Sequence, residues 1–122
     1  MSEAPSLLIV DDDTFVRVFL KDAIADVSLR IREATNGAEA LARVEEEPPA
    51  VVLLDLMMPE MSGLEVLRAL RRVSPASRVV VISSLDSETM IAEALAEGAH
   101  GFIGKPFHPL EILDAVRTAL AQ

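Results

Sequence analysis

Short runs of apolar, often β-branched residues alternate along the chain with longer segments whose apolar residues recur at helical spacing. This alternation is typical of βα units arranged around a parallel sheet. Five runs predict strands, at residues 7–10, 29–33, 51–54, 79–82 and 101–103. Three runs are nearly all apolar, as expected for strands covered on both faces. The mixed run at 29–33 predicts an edge strand.

A segment with helical periodicity follows each predicted strand. The helices are predicted to begin near Thr14, Asn36, Ser62, Ser87 and His108. Ser62 precedes Glu65 by three residues, Pro109 occupies a first helical position, and Gly98 is placed to end the fourth helix. The pattern predicts one doubly wound α/β domain over residues 1–122, and any output domain is expected to lie outside this chain.

Composition narrows the class of protein. Hydrophobic residues make up 51% of the 122 residues and aromatic residues only 3%, which predicts a single aliphatic core. The net charge of −9 opposes direct binding to nucleic acid or to anionic membranes. The absence of cysteine excludes disulfides and thiolate metal sites. With no leader sequence or membrane-length apolar run, a soluble cytoplasmic protein is expected.

Polar residues follow the predicted strands at the points where ligands bind in open α/β sheets, outside the carboxyl ends of the strands. The strand ends supply three kinds of chemical group. These are the acids Asp11, Asp12, Asp13 and Asp55, the hydroxyls Ser83 and Ser84, and the amine Lys105. Taken singly, Asp11 to Asp13 are typical of a helix cap and turn, Ser83 of a turn that leads into a helix, and Lys105 of a solvated charge. Asp55 alone favours neither a structural nor a functional role. Their joint placement on successive strand ends favours one shared site.

The chemistry of this set indicates phosphoryl transfer. Two carboxylates about 4 Å apart repel by roughly 4 kcal/mol at an effective dielectric of 20, so the acids need a counter-charge. Mg²⁺ prefers oxygen ligands, and Lys105 is a second source of positive charge. A carboxylate on the third strand can then attack a phosphoryl donor while both cations neutralise the phosphoryl oxygens.

Four motifs resemble the receiver domain of bacterial two-component response regulators, and the resemblance covers essentially the whole chain. The motifs span residues 7–13, 54–63, 79–84 and 101–107. The resemblance implies a single (βα)5 domain of the flavodoxin-like type. Its five-stranded parallel sheet would have the order 2-1-3-4-5, with helices on both faces.

The resemblance also assigns roles to residues of the site. Asp55 would be the phosphoacceptor, and Mg²⁺ or Mn²⁺ would be held by Asp55, Asp12 and the Met57 carbonyl, with Asp11 acting through water. After transfer, Ser83 would hydrogen-bond the phosphoryl group. Lys105 would pair with Asp55 before transfer and with a phosphoryl oxygen after it.

Other residues would shape the site or transmit its state. Phe102 would be the switch aromatic, and Pro59 and Gly63 would shape the loop after the third strand. The Lys105–Pro106 bond would be cis, which orients the lysine. Apolar Met57 and Leu85 stand at the two positions that tune hydrolysis, so slow loss of phosphate is expected. Met57 and Leu85 offer an attacking water no hydrogen bond.

The function implied is a phosphorylation-activated signalling switch that is not an enzyme beyond its own phosphorylation and slow dephosphorylation. A sensor histidine kinase, a phosphotransfer protein or a small phosphodonor would supply the phosphoryl group. The face formed by the fourth helix, fifth strand and fifth helix would then change. That face would control a downstream effector or an output domain, or form a homodimer.

Two other classes of protein share some of these features. A hydrolase of the haloacid dehalogenase type requires Asp-x-Asp-x-Thr, but Thr14 directly follows Asp13 and the chain is too short for a cap. A receiver-like module that no longer takes phosphate would have lost an acid or the lysine, and all are present. His100 and His108 are interpreted as solvated loop residues, since no carboxylate partner is evident.

Overall fold

The computed structural model describes residues 4–58, 61–84 and 88–122, and these form five strands and five helices in strict alternation. The strands are β1 Ser6–Val10, β2 Arg30–Ala34, β3 Val51–Asp55, β4 Arg78–Ser84 and β5 Gly101–Lys105. The helices are α1 Thr14–Ala23, α2 Gly37–Glu46, α3 Gly63–Val73, α4 Glu88–Ala96 and α5 Pro109–Ala121. All ten predicted elements are confirmed, although the predicted fourth helix start, Ser87, lies outside the described residues.

The sheet is parallel throughout and has the order β2-β1-β3-β4-β5, which confirms the predicted topology. Val10 pairs with Leu54 across β1 and β3, and Ser83 pairs with Gly104 across β4 and β5. The carboxyl ends of the central strands therefore lie at about the same height in the sheet. Polar residues that follow or close them are brought to the same edge of the sheet.

Both faces of the sheet are covered, because successive strand residues point to opposite sides. Leu8 and Val10 pack with α2, α3 and α4, and Leu7 and Ile9 pack with α1 and α5. Every residue of β1 and β3 is buried. The core is almost purely aliphatic, as the composition predicts.

Strand β2 lies at one edge of the sheet and is only half-buried for most of its length, so the predicted edge strand is confirmed. Charged residues protect this edge. Arg30 forms an ion pair with Glu47, and Arg32 donates to the backbone carbonyls of Glu47 and Arg43. Such a charged edge resists pairing with a strand of another molecule.

Capping residues fix where the helices begin and end. Asn36 and Ser62 cap α2 and α3 through their side chains. His108 caps α5: its Nδ1 accepts from the Leu110 N–H, and Glu111 accepts from the His108 N–H in return. Gly98 lies two residues after the end of α4 and has φ +103°, which confirms its predicted stop.

The interpretation as a solvated loop residue is confirmed for His108 and wrong for His100. His108 is exposed in the loop before α5 and also caps that helix. His100 is half-buried, and its Nδ1 accepts the Val79 backbone N–H at 3.0 Å, while the backbone N–H of His100 donates to the Val79 carbonyl. Burial, and then the nearby charges of Arg71 and Arg78, hold the pKa of His100 below its usual 6.5. This side chain therefore acts as a neutral acceptor at the start of β5.

None of the helices within the described ranges is long and apolar enough to cross a membrane.

Candidate functional site

The residues predicted to carry chemistry meet at the carboxyl edge of the sheet. Asp11 directly follows β1, and Asp55 is the last residue of β3 rather than the first residue after it. Ser83 is the penultimate residue of β4 and pairs with Gly104, and Lys105 is the last residue of β5. Parallel pairing in this register makes one site of residues that are far apart in sequence.

Three carboxylates form the centre of the site. One oxygen each from Asp11, Asp12 and Asp55 lies within 4.8 Å of the others. Asp11 and Asp55 are only 1% and 3% exposed, whereas Asp12 is exposed. Burial, with the charges of Asp55 and Asp12 adding to it, raises the pKa of Asp11 to about 6. A divalent cation would relieve both the repulsion and the loss of hydration.

The two oxygens of Asp11 are used differently. Its Oδ1 accepts the Asp13 N–H at 2.9 Å, which fixes the turn between β1 and α1. Its Oδ2 is buried and has no hydrogen-bond partner among the described residues. A buried carboxylate oxygen without a partner is costly, and a cation or a cation-bound water would satisfy it.

Asp13 is set apart from this cluster although it is adjacent in sequence. Its side chain accepts from the Phe15 N–H at 2.8 Å and the Val16 N–H at 3.4 Å and so caps α1. The third acid of the run therefore positions the helix. The first two acids face the site.

The carboxylate of Asp55 is also asymmetric. Its Oδ1 accepts the Met57 N–H at 2.9 Å, and its Oδ2 lies 3.8 Å from the Nζ of Lys105. One oxygen is thus held by the backbone of the following loop, and the other faces a positive charge. Lys105 is about one-third exposed, so the space around its ammonium is open to a ligand.

The donor set fits a hard divalent cation. Carboxylates from two strand ends supply oxygen ligands, and the orphaned Asp11 oxygen points to a ligand that the protein itself does not provide. Met57, whose carbonyl is predicted to complete the set, is tied to Asp55 through its N–H. Asp55, Asp12 and Met57 would hold the cation directly, and Asp11 would act through water.

Ser83 and Phe102 lie on the neighbouring strands β4 and β5 and differ in exposure. Ser83 is fully buried, and its hydroxyl has no hydrogen-bond partner within the described part of the chain. Phe102, on the neighbouring strand, is 47% exposed. Its ring lines a cavity of about 290 Å³ together with Ile91 and Leu95 of α4.

The predicted loop-shaping residues are partly tested. Gly63 begins α3 against the backbone of β3: a Cβ there would lie 2.4 Å from the Leu56 Cα and 2.8 Å from the Asp55 carbonyl. The Lys105–Pro106 peptide bond is cis, as predicted. Pro59 and Leu85 lie outside the described residues.

One residue of the site was missed by sequence reasoning. Arg17 of α1 donates through Nη1 to the backbone carbonyl of Asp11 at 2.7 Å and through Nε to Glu33 at 3.0 Å. The available signal was its place one helical turn after the acidic run, but nothing in the local sequence indicates that the guanidinium turns back toward that run.

The fold and site together define a class of α/β protein: a doubly wound parallel sheet with acids, a buried hydroxyl and a lysine on adjoining strand ends. The sequence matches the family described as "Response regulator receiver domain" over residues 7–117. The chain therefore belongs to the response regulator receiver domains, which act in two-component signalling.

Individual relatives agree with this assignment. The chain is 38% identical to the chemotaxis protein CheY of Thermotoga maritima over 111 residues, covering 90% of this chain and 92% of that protein. It is 36% identical to the nitrate/nitrite response regulator protein NarL of Escherichia coli K12, covering 98% of this chain but 56% of NarL. The crystal structure of the receiver domain of NtrX from Brucella abortus superimposes with a TM-score of 0.91 at 28% identity, covering 96% and 99% of the two chains.

Proposed function

We propose that this chain is a phosphorylation-activated switch that accepts a phosphoryl group on Asp55 with the help of Mg²⁺ or Mn²⁺. The observation that carries the proposal is the asymmetry of Asp55, whose Oδ1 is held by the Met57 N–H while Oδ2 faces Lys105 at 3.8 Å. The donor would be a sensor histidine kinase, a phosphotransfer protein or a small phosphodonor. Two-component relatives support this choice of donor.

In the proposed reaction the unheld oxygen of Asp55 attacks the phosphorus atom of the donor. An oxygen–phosphorus bond forms as the bond from phosphorus to the donor's imidazole nitrogen or carboxylate oxygen breaks, and that atom leaves with the electron pair. The cation, when bound, neutralises charge on the phosphoryl oxygens. Lys105 offsets the remaining charge and shifts from Asp55 to a phosphoryl oxygen.

The transferred group would then supply a partner for the unsatisfied hydroxyl of Ser83. A hydroxyl buried without a hydrogen bond costs about 1–3 kcal/mol, and a hydrogen bond to the phosphoryl group recovers that energy in the phosphorylated state only. Movement of Ser83 toward the phosphoryl group makes room for Phe102 to turn inward from its exposed position. Phosphorylation would thus shift the population between two conformations, which differ in the face formed by α4, β5 and α5.

This face would pass the signal to an effector protein or to an output domain outside this chain, or would form a homodimer. The acidic net charge of −9 argues against direct binding to nucleic acid or membranes. The proposal includes a cytoplasmic location, where phosphoryl donors of this kind are made. Apart from its own phosphorylation and slow dephosphorylation, the chain would not act as an enzyme.

Slow dephosphorylation is part of the proposal. Met57 follows Asp55 by two residues, donates its backbone N–H to the Asp55 carboxylate and is 56% exposed. In the proposal, its apolar side chain stands where an attacking water would approach. It offers that water no hydrogen bond. A phosphorylated protein with a half-life of seconds would contradict this part of the proposal.

Intact mass after incubation with acetyl phosphate and Mg²⁺ tests the proposal. We expect a gain of one phosphoryl group in the wild-type protein, no gain without the metal and no gain in Asp55→Asn. A wild-type protein that never gains mass would instead be an inert interaction module. Steady, fast phosphate release without accumulation would instead indicate a hydrolase.

A further inference from the structure

The side chain of Arg17 joins three parts of the molecule behind the acidic cluster. Its Nε donates to Glu33 on β2 at 3.0 Å, its Nη1 to the Asp11 carbonyl at 2.7 Å and its Nη2 to the Thr14 hydroxyl at 3.2 Å. The side chain is only 12% exposed. All three guanidinium nitrogens are therefore engaged, in a planar geometry that no other residue type can reproduce.

The contact with Asp11 bears directly on the site. The carbonyl that accepts from Arg17 belongs to the same residue whose Oδ1 accepts the Asp13 N–H and whose Oδ2 lacks a partner. The Asp11 N–H is fixed as well, by the Ala34 carbonyl of β2 at 3.1 Å. With its backbone held at both ends, Asp11 has its carboxylate set in one orientation.

Arg17 is itself held in place from the other side. Glu33 accepts from both Arg17 and Lys21, and although burial alone would raise the pKa of Glu33, these hydrogen bonds and charges hold it below its usual value. Glu33 therefore stays ionised and keeps the guanidinium turned toward the β1–α1 turn. Within the described part of the chain, Lys21 forms an ion pair with Glu33 but none with the acids of the site.

We propose that Arg17 is a positioning residue for cation binding: by fixing the backbone of the β1–α1 turn, it holds Asp11 and Asp12 in the arrangement that receives the divalent cation. The inference rests on the proposed function for the identity of the cation. The proposed role is geometric, and its effect is opposite to that of the charge on Arg17. The guanidinium charge alone would repel a divalent cation and weaken its binding.

Calorimetric titration of the full chain with Mg²⁺, without any phosphodonor, tests this role in Arg17→Ala, Arg17→Lys and Lys21→Ala. Groups that orient metal ligands typically change metal affinity by 10–100-fold, so we expect about ten-fold weaker binding in Arg17→Ala. Arg17→Lys should recover part of the loss. Lys21→Ala removes the same charge from the same helix without touching Asp11 and should bind as the wild type does.

The possible outcomes separate the competing explanations. Tighter Mg²⁺ binding in Arg17→Ala would mean that Arg17 acts only through its charge, and unchanged affinity in a destabilised protein would mean that it only supports the fold. Either result overturns the proposal. If Arg17→Ala does not fold, Arg17→Lys decides: wild-type affinity there would overturn it. A wild-type protein that binds no Mg²⁺ would instead refute the proposed function.

Phosphorylation by acetyl phosphate provides a second test, because it separates an effect on Mg²⁺ binding from an effect on the transfer step. Arg17→Ala should need about ten-fold more Mg²⁺ for half-maximal rate. Its rate at saturating Mg²⁺ should remain close to that of the wild-type protein, since Asp55 and Lys105 are untouched. A fall in the saturating rate alone would contradict a role in cation positioning.

Discussion

The Nζ of Lys105 lies 3.8 Å from Oδ2 of Asp55, too far for a hydrogen bond but close enough for an ion pair. The other oxygen of the same carboxylate is fixed by the Met57 N–H. The lysine therefore neutralises Asp55 without occupying its free oxygen. This separation leaves room for a group to be transferred to that oxygen while the ammonium remains in reach.

Replacing Lys105 by Met should slow phosphorylation by acetyl phosphate by about a hundred-fold. The substitution removes the positive charge that is held in place to stabilise the phosphoryl group during its transfer. Mass spectrometry against time measures the rate. Lys21→Met is the matched control, since Lys21 is a surface lysine that pairs with Glu33. Equal rates for Lys105→Met and the control would refute a role for Lys105 in transfer.

The raised pKa of Asp11 predicts an unusual dependence of stability on pH. Because the folded-state pKa of about 6 exceeds the ordinary 3.8, the ionised form is disfavoured by folding. The ionised Asp11 carboxylate therefore lowers the free energy of unfolding. This destabilisation is fully present above pH 6 and disappears as the pH falls toward 3.8. Without metal, Asp11→Asn should therefore be up to about 3 kcal/mol more stable than the wild type at pH 7.5.

Urea unfolding at pH 7.5 and pH 4.5, with and without Mg²⁺, measures this effect. The advantage of Asp11→Asn should shrink at the lower pH. Mg²⁺ should stabilise the wild-type protein more than the variant, since the cation binds only the folded state. A variant less stable than the wild type in the absence of metal would show that the Asp11 charge is not a cost.

Gly63 should not tolerate alanine, because its Cβ would lie 2.4 Å from the Leu56 Cα, which is backbone and cannot move aside. We expect a loss of roughly 2–3 kcal/mol in the free energy of unfolding, measured with urea. Gly101→Ala is the matched control, since nothing lies within 4 Å of its added Cβ. Similar losses at both positions would refute the close-approach explanation.

A single tryptophan can report the proposed switch, because the chain contains none. Phe102→Trp should begin with solvent-exposed emission, since Phe102 is 47% exposed. Adding Mg²⁺ and beryllium fluoride, a mimic of the phosphoryl group, should shift the emission to the blue as the ring turns inward. The shift should vanish when Ser83→Ala is combined with Phe102→Trp. If mass spectrometry shows that Phe102→Trp takes phosphate and its emission spectrum is still unchanged, phosphorylation does not move residue 102 as proposed.

His100 should also make stability depend on pH, in the opposite direction to Asp11. Its pKa is lowered in the folded state, so its contribution is lost as the pH falls below about 6.5. Protonation of Nδ1 would also remove the acceptor for the Val79 N–H. Urea unfolding from pH 7.5 to 5.5 should show a smaller decline in His100→Asn than in the wild type, and an equal decline would contradict this role.

Local pattern was sufficient to predict the elements, but not their ends. Apolar alternation located β4 at residues 79–82 and β5 at 101–103, whereas the strands run to Ser84 and Lys105. Parallel partners supply backbone hydrogen bonds that carry strand geometry past the apolar run and into the polar residues of the site. Ser83 and Lys105 are therefore held more rigidly than loop residues would be.

The residues that sequence reasoning missed act through contacts between distant segments. Arg17 meets Glu33 across 16 positions, and Val79 meets His100 across 21. Neither contact can be predicted from the periodicity of apolar residues in the sequence. Both arise because the sheet order places β2 beside the β1–α1 turn and β5 beside β4.

The sequence by itself determined the alternating elements, the aliphatic core and the set of residues at the strand ends, because burial imposes a period and strand ends accept polar side chains. Only the tertiary structure decided which oxygen of Asp55 is free, why Asp13 stands apart from Asp11, and how Arg17 reaches the site. Those properties depend on distances of a few ångströms between separate segments, which are set by packing and register rather than by local propensity.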